Sequence, residues 1–548
     1  MKVRKQKSLP RDLPDPLPLD RRDKLMAFLL AAVVLAVGYW WMVGGVCGIY
    51  HDDAIYVSTA KALASGQGYR LINLPGAPFQ TKYPILYPAI LALIWKLWPS
   101  FPNNLWAMQV LSLLTAGGMA GLSYLYLVRF CYCTRSVALA AGLLCATSIN
   151  FVYFSTLVLS EMPFALLLLG ALWALEEGVR SPQSSRIRQF FLGVLLGLPF
   201  LCRSIGITLA PVGLLVLYRQ RRPLRWVAAG AAAAMLPWIL WGQIAKIYFP
   251  GDHITGYYTN YLGWWFENGP AFLGRILFHN LSELMICSSL TGMPGSERAL
   301  SWLVGLAVLY IYYVLGVLAW VIIGDGARKY QVLPLYLLSC AAIIILWPWP
   351  PFRFVVPILP FLLAYLIYGL TVLKKKLRFL PPARNAFAVS IGLLLIANLT
   401  LLCVRGQANH ETRYPVIIRQ NPPVAWSSYE SVFHWLNSHT APDDLIASGL
   451  DTMMYLYTGR RGFRPFVGSS AQMFYGDASQ CLGTPEDLLK VMKVQQARYL
   501  VVTPMPTFGE EKPFAALLKK FRQRYPLKLE PVYVGADPRF VIYSFRPD

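Results

Sequence analysis

Long apolar segments recur along most of this 548-residue chain, and they constrain its fold more than any other feature. About 20 consecutive apolar residues are enough for a helix to cross the ~30 Å hydrocarbon core of a bilayer. A run near 189–218 is longer and is interrupted by Arg203, so we interpret it as two short spans. The sequence predicts a polytopic α-helical membrane protein with about 11 to 13 transmembrane helices. The other runs lie near 25–46, 105–129, 136–155, 162–178, 225–246, 301–323, 331–348, 354–373 and 385–404.

The composition supports a membrane protein and argues against a nucleic-acid partner. Hydrophobic residues make up 56% of the chain and charged residues only 14%, whereas soluble domains carry about 25% charged residues. The formal net charge of +23 reflects an excess of Lys and Arg, which membrane proteins concentrate in their cytoplasmic loops. No basic run is interleaved with aromatic residues that could stack on nucleic-acid bases. Most of the nine cysteines lie in apolar runs, where we interpret them as small buried side chains.

The distribution of Lys and Arg predicts which loops share a side of the membrane. The basic, Pro-rich segment 1–24 is placed in the cytoplasm, and the short segment 85–98 is interpreted as an interfacial helix. With that count, "RFCYCTR", "RSPQSSRIR", "RQRRPLR", "GARKY" and "KKKLRFLPPAR" are all cytoplasmic, as the positive-inside rule requires. A transmembrane domain over 25–404 then has extracytoplasmic loops at 47–104 and 247–300.

The last segment, 405–548, has ordinary polarity and is predicted to be an extracytoplasmic α/β domain. "DDLIASG", "ARYLVVTP" and "RFVIYSF" have the pattern of short strands. "PVAWSSYESVFHWLNSH" is amphipathic, and "TPEDLLKVMKVQQA" begins with a Thr suited to cap a helix. Alternation of helices and strands is typical of a small α/β domain.

Two adjacent acids, Asp52 and Asp53, follow the first apolar run. Asp52 could cap a helix over 53–64, but one carboxylate is enough for a cap. Tyr56 lies four residues after Asp52 and therefore on the same helical face. Further along the same loop, Lys82 precedes "YP" at the start of the interfacial segment, where a lysine can also extend towards lipid headgroups.

Three more charged residues are predicted near the same membrane surface. Glu161 lies in a short turn between two spans, where it could also interact with a helix N-terminus. Arg203 and Arg353 interrupt apolar sequence, and cations at the hydrocarbon boundary are costly without an anionic partner, which a lipid headgroup could also supply.

Acids and cations at one membrane surface suit the transfer of a group from a lipid-linked phosphate. Lys and Arg can stabilise the negative charge that develops on a phosphate leaving group. A carboxylate can act as general base on an acceptor hydroxyl. The chain has no convincing P-loop or GxGxxG motif for a soluble nucleotide donor.

Four segments resemble the membrane-embedded C-type (GT-C) glycosyltransferases: "HDDAIYVSTAKALASGQGY…TKYPILYPAILAL", "LSEMPF", "LPFLCRSIGI" and "FRFVVPILPFLL". They are most similar to protein O-mannosyltransferases and lipid A aminoarabinose transferases, through about residue 372. The resemblance implies that Asp52 is the base, with Asp53 as the substitute. It also implies that Glu161 is the second acid, and that Lys82 contacts the carrier phosphate with Tyr83 inserted before the proline.

The resemblance leaves the need for a metal ion open. In the aminoarabinose branch an acid before the lysine helps to bind a metal, and here that position is Thr81. Asp53, His253 and His279 are the remaining candidates for a divalent metal ion, and no other cofactor is expected.

The sequence therefore predicts an integral-membrane glycosyltransferase whose active site faces the extracytoplasmic side. Its expected partners are a polyprenyl-phosphate sugar, such as one on undecaprenyl phosphate, an acceptor that is a protein, lipid or glycan, and membrane lipids. Asp52 is expected to deprotonate the acceptor hydroxyl and Glu161 to orient it, and Lys82, Arg353 and Arg203 are expected to hold the phosphate. The transfer is expected to invert the anomeric configuration, because a single displacement needs one base and no covalent intermediate. Two alternatives stay open: an oligosaccharyltransferase or O-antigen-type ligase with a diphosphate-linked glycan, and a non-enzymatic transporter of lipid-linked sugars.

Overall fold

The computed structural model describes residues 15–131, 133–181, 185–248, 269–288, 332–347, 351–377, 383–415, 423–466, 482–505 and 510–547. The part before residue 415 is helical. Its α-helices are α1 (Arg21–Trp41), α2 (Asp52–Ala64), α3 (Leu86–Leu97), α4 (Leu105–Arg129), α5 (Arg135–Ala146), α6 (Ile149–Thr156), α7 (Glu161–Arg180), α8 (Arg186–Cys202), α9 (Leu209–Arg219), α10 (Arg225–Tyr248), α11 (Gly269–Ser288), α12 (Val332–Ile344), α13 (Phe352–Val355), α14 (Leu359–Leu377) and α15 (Ala383–Thr412).

Five helices in the described ranges are long and apolar enough to cross a membrane: α1, α4, α7, α10 and the part of α15 over Ile391–Thr412. The helices α5 and α6 form a sixth candidate if they are one span, although they are bent by 61°. The predicted run 301–323 lies outside the described residues. The predicted helical membrane protein is confirmed, but the described residues contain five or six full-length spans and not the 11 to 13 predicted, because several apolar runs form short or broken helices.

Two departures from full-length spans that the sequence predicted are present in the structure. The run 189–218 forms α8 and α9, separated at Arg203 by a 3-10 turn over Ser204–Thr208. The segment 85–98 contains α3, which has 12 residues and is too short to cross a bilayer.

Close helix contacts in the membrane part depend on glycine. A Cβ atom on Gly193 of α8 would lie 2.0 Å from the carbonyl oxygen of Val227 in α10. A Cβ on Gly230 of α10 would lie 2.0 Å from the carbonyl oxygen of Phe190 in α8. Small residues let helix backbones approach closely, and van der Waals packing of this kind drives helix association in lipid. Reciprocal glycines therefore fix α8, and with it the position of its end at Cys202.

The tail forms the predicted α/β domain around a five-stranded sheet with the order β2-β1-β3-β5-β4. The pairs β1–β2 and β1–β3 are parallel, and β3–β5 and β4–β5 are antiparallel. Thr484 caps the second predicted helix through a reciprocal capping box with Asp487. The elements are α16 (Trp426–His439), β1 (Ile446–Ser448), α17 (Asp451–Thr458), β2 (Gly462–Phe463), α18 (Pro485–Val494), β3 (Tyr499–Val502), α19 (Glu511–Arg524), β4 (Leu529–Val534) and β5 (Val541–Phe545).

Candidate active site

The first acid pair lies at the beginning of α2. This helix begins at Asp52 itself, and the preceding residue His51 makes no side-chain capping bond. The interpretation of Asp52 as a helix cap is therefore wrong. Its carboxylate instead accepts a hydrogen bond from the Tyr83 hydroxyl at 2.6 Å and one from Arg353.

Arg353 joins the two acids that the sequence analysis assigned to the acceptor. Its Nη1 lies 2.6 Å from Oδ2 of Asp52, and its Nε lies 2.7 Å from Oε1 of Glu161. These residues are 301 and 192 positions from Arg353 in sequence. The guanidinium also lies over the Tyr50 ring, 4.5 Å from its centroid. Arg353 thus orders both acids around one cation.

A second guanidinium, that of Arg203, contacts Glu161 from the break between α8 and α9. Its Nη1 lies 2.7 Å from Oε1 of Glu161 and donates to Oγ of Ser160 at 3.1 Å. The Ser160 hydroxyl also shares a hydrogen bond of 3.1 Å with the hydroxyl of Tyr56. Glu161 is fully buried, and its other oxygen, Oε2, has no hydrogen-bond partner among the residues that the structure describes.

These side chains meet because each one lies at a helix end or break. Asp52 is the first residue of α2, Glu161 is the first residue of α7, and Arg203 directly follows α8. Arg353 lies on the four-residue helix α13. Helix ends leave backbone groups unpaired and admit polar side chains, so a charged cluster can form there without interrupting a span.

Lys82 lies beside this cluster in the extended segment before α3. Its backbone N–H donates to Oε1 of Gln80 at 2.8 Å, and its ammonium lies 5.5 Å from the Tyr83 ring centroid. Gln80 in turn accepts through its backbone carbonyl from the Trp241 indole at 2.9 Å, which fixes the segment against α10. The Lys82 side chain is only 7% exposed, so it lies inside the protein and not among lipid headgroups.

The charges of this cluster perturb each other. Burial opposes ionisation of Asp52, but the charges of Arg353 and Lys82 outweigh it and lower the pKa of Asp52 below its ordinary value. Burial lowers the pKa of Lys82 from 10.5 to about 8, although Asp52 opposes the change. The positive charge of Arg464, from the tail domain, lowers the pKa of Lys82 further. The cluster therefore favours the ionised form of Asp52 and holds a lysine whose pKa is about 8.

Asp53 has different partners from Asp52. Its Oδ2 accepts from the backbone of Gly48 at 2.7 Å, and its Oδ1 accepts from Tyr50 at 3.2 Å and from Ala54 at 2.9 Å. Burial raises its pKa from 3.8 to about 6 despite these bonds. We infer that Asp53 holds the loop before α2 in place, because both its oxygens bind backbone amides.

The described residues do not fit a divalent metal ion at this site. Asp52 and Glu161 converge on the guanidinium of Arg353, and the second cation Arg203 would repel a metal ion there. No group of three His, Cys, Asp or Glu side chains in the described ranges could hold a metal ion. His279 is half-buried on α11, and His253 lies outside the described residues.

Several residues of the site were not found from the sequence. Ser160 links Arg203 to Tyr56, and Tyr50 packs on Arg353. Ser160 directly precedes Glu161, so its position in the polar turn was the available signal. Arg464 is about 380 residues from Lys82 along the chain, and no local pattern connects them.

Residues 82–241 match the family model described as dolichyl-phosphate-mannose-protein mannosyltransferase. No curated protein matches the chain significantly in sequence.

Solved structures match almost the whole chain. A crystal structure of ArnT from Cupriavidus metallidurans bound to undecaprenyl phosphate is 13% identical, with a TM-score of 0.52, and the match covers 95% of this chain and 97% of that one. The archaeal oligosaccharyltransferase AglB from Archaeoglobus fulgidus, in complex with an inhibitory peptide and a dolichol-phosphate, is also 13% identical, with a TM-score of 0.53. That match covers 96% of this chain and 74% of AglB.

The match to ArnT includes the helical part and the tail domain, since it covers 95% of the chain. The apolar helices and these matches agree with the fold predicted from the sequence motifs. The chain is an integral membrane protein with the fold of the GT-C glycosyltransferase superfamily.

Proposed function

We propose that this protein is a membrane glycosyltransferase that transfers a sugar from a polyprenyl-phosphate-linked donor to an acceptor hydroxyl. The observation that carries the proposal is the cluster in which Arg353 bridges Asp52 and Glu161, with Lys82 and Arg203 beside it. Three cations accompany two carboxylates in this set, and the excess positive charge suits an anionic ligand.

In this proposal the donor phosphate binds through Lys82 and Arg353. The phosphate competes with Asp52 for the Arg353 guanidinium, because both are anions that accept its N–H groups. Binding of the donor then releases Oδ2 of Asp52 from its ion pair. The carboxylate keeps its other bond, from the Tyr83 hydroxyl to Oδ1, and so stays oriented.

Asp52 acts as general base on the acceptor hydroxyl. The acceptor oxygen forms a bond to the anomeric carbon while the bond from that carbon to the phosphate oxygen breaks, and the hydroxyl proton passes to Asp52. The leaving polyprenyl phosphate takes the bonding electron pair, and Lys82 and the arginines stabilise its charge. One base and a single displacement give inversion at the anomeric carbon, since no covalent sugar-enzyme intermediate forms.

Glu161 orients the acceptor. Arg203 and Arg353 both contact Oε1, and they hold the carboxylate in one place. Oε2 is buried and has no hydrogen-bond partner in the described part of the chain, so it can accept a hydrogen bond from a second acceptor hydroxyl.

The direction of the helices supports an extracytoplasmic active site. The helix α7 runs from Glu161 to Arg180, and α8 returns from Arg186 to the residue before Arg203. The site and the basic loops therefore lie at opposite ends of these helices. The positive-inside rule places the basic ends in the cytoplasm, so the site is assigned to the other side.

A direct test is transfer by the purified protein, with a short-chain polyprenyl-phosphate sugar and candidate acceptors followed by mass spectrometry. Mass spectrometry of the lipids that co-purify with the protein would identify the natural carrier. Asp52→Asn should lower turnover by roughly 10² to 10⁴, the usual effect of losing a general base, while the protein still binds the donor. Unchanged turnover in Asp52→Asn would contradict the assignment of the base.

A diphosphate-linked glycan is the second candidate donor. The observation that favours it is the similarity to the archaeal oligosaccharyltransferase, whose TM-score is as high as that of ArnT. Presenting monosaccharide monophosphate and oligosaccharide diphosphate donors in parallel separates the two. Turnover only of the diphosphate would replace the first proposal by the second.

A further inference from the structure

Residues 45–51, which we call the entry loop, lead from the first span to Asp52 and are held from two sides. On one side Asp53 accepts the backbone N–H groups of Gly48 and Tyr50. On the other side lies the tail-domain helix α17, which is some 400 residues away in sequence. The entry loop therefore connects the tail domain to the candidate base.

Helix α17 contacts the entry loop along its whole length. The Tyr457 hydroxyl accepts from the backbone N–H of Cys47 at 3.1 Å and donates to the carbonyl of Gly45 at 2.9 Å. Gly48 has a φ of +98°, and a Cβ there would lie 2.6 Å from Cβ of Met453. Only glycine allows both this conformation and this contact.

Asp451, the first residue of α17, contacts the residue next to Asp52. Its Oδ1 accepts from Nε2 of His51 at 3.0 Å, and both side chains are almost completely buried. Because a carboxylate only accepts hydrogen bonds, Nε2 must carry the hydrogen. Oδ2 accepts from Nδ2 of Asn73 at 2.9 Å, which orients the Asp451 carboxylate from a second direction.

His51 has a backbone conformation that needs such support. Its φ is +62° and its ψ is −48°, a positive-φ conformation that a non-glycine residue seldom occupies. Residues in such conformations persist where surrounding contacts determine them, and they often lie next to functional groups. The direction in which Asp52 leaves the entry loop depends on this residue, because His51 directly precedes it.

We infer that Asp451 is a positioning residue of the active site, which holds His51 in its positive-φ conformation and thereby places the Asp52 carboxylate. The tail domain is then a component of the catalytic machinery and not only an accessory domain. The inference rests on the proposed function for its effect on turnover, and it makes a separate statement about the order of the entry loop.

The test compares Asp451→Ala with the wild-type protein in detergent by hydrogen exchange and by turnover. Amides in peptides that cover 45–56 should exchange at least about tenfold faster in the variant, because the loop loses its contact with α17. The turnover number should fall about 100-fold, the effect expected when a reacting group is displaced by about 1 Å. Donor affinity should not fall, since the variant retains Lys82 and Arg353 and any displacement of Asp52 weakens its competition with the phosphate for Arg353.

Three further variants separate positioning from general loss of stability. Asp451→Asn retains one oxygen that can accept from His51, so it should recover part of the turnover. The double variant His51→Ala with Asp451→Ala should be no slower than the slower single variant, because Asp451 acts through His51. Arg460→Ala is the matched control, since Arg460 donates to Thr440 and Asn437 within the tail domain and not to the entry loop.

Each result decides the inference. Equal exchange of 45–56 in wild type and Asp451→Ala would overturn it, whatever the activity. Faster exchange in Asp451→Ala with unchanged turnover would also overturn it. The inference would fail as well if Arg460→Ala lost as much turnover as Asp451→Ala while its melting temperature fell by the same amount. If the wild-type protein transferred no sugar, the proposed function would fail, and the exchange measurement would still decide whether Asp451 orders the loop.

Discussion

The pKa of Lys82 gives the sharpest prediction for the donor site. Burial lowers it to about 8, so about nine-tenths of the free protein carries the charge at about pH 7 and one-tenth at about pH 9. The proposed donor is a phosphodiester, whose charge does not change in this range, and its phosphate bound beside Lys82 would raise the pKa of the lysine by stabilising the ammonium. The dissociation constant of the donor should therefore rise about tenfold between these pH values.

The assay is binding of a short-chain polyprenyl-phosphate sugar to the purified protein, without acceptor, at both pH values. Lys82→Met retains the apolar stem and removes the charge, which should cost about 1.5–3 kcal/mol at about pH 7. Its affinity should then be roughly ten- to a hundredfold lower and nearly independent of pH. Lys82→Arg should bind with intermediate affinity and also without pH dependence, since a guanidinium stays charged.

Lys96→Met is the matched control, because Lys96 lies exposed at the end of α3. It should keep the affinity and the pH dependence of the wild-type protein. Wild-type donor affinity in Lys82→Met would show that the ammonium does not contact the phosphate. A lower yield of folded Lys82→Met with unchanged affinity would instead indicate a structural role.

Three other predictions test separate parts of the site. Asp53→Asn should lower the free energy of unfolding by about 1–3 kcal/mol, because an amide cannot accept all three backbone N–H groups. Turnover per folded molecule should fall less than in Asp52→Asn; thermal unfolding measures the stability and steady-state kinetics measure the turnover. Arg353→Gln should destabilise the protein by about 3 kcal/mol, since it leaves two carboxylates without their shared cation, and an unchanged melting temperature would contradict the role of the bridge. An extracytoplasmic reporter should be active when fused after residue 65 or 430 and inactive after 222, and activity at 222 would reverse the assigned topology.

The sequence alone predicted the features that depend on local composition. Apolar runs predicted the helices, because a bilayer requires about 20 apolar residues whatever their neighbours are. Arg203 predicted the break between α8 and α9, since a charge is costly within a span. The capping box at Thr484 and the strands β1, β3 and β5 also follow from short-range patterns.

Local patterns could not assign the two acids, because adjacent residues on a helix point in different directions. The structure distinguishes them by their partners: Asp52 contacts Arg353, and Asp53 contacts backbone amides of the preceding loop. The short elements α17 and β2 of the tail were likewise missed, since eight and two residues give little periodicity.

The bond between His51 and Asp451 joins residues that are 400 positions apart, and it depends on how the tail domain packs on the entry loop. The contact of Arg353 with Asp52 spans 301 positions and depends on where two helices end. The sequence by itself determined which segments are apolar enough to form membrane helices and which charged residues interrupt or flank them. Only the tertiary structure decided which of these residues meet, because the free energy of each contact comes from groups that packing brings together from distant parts of the chain.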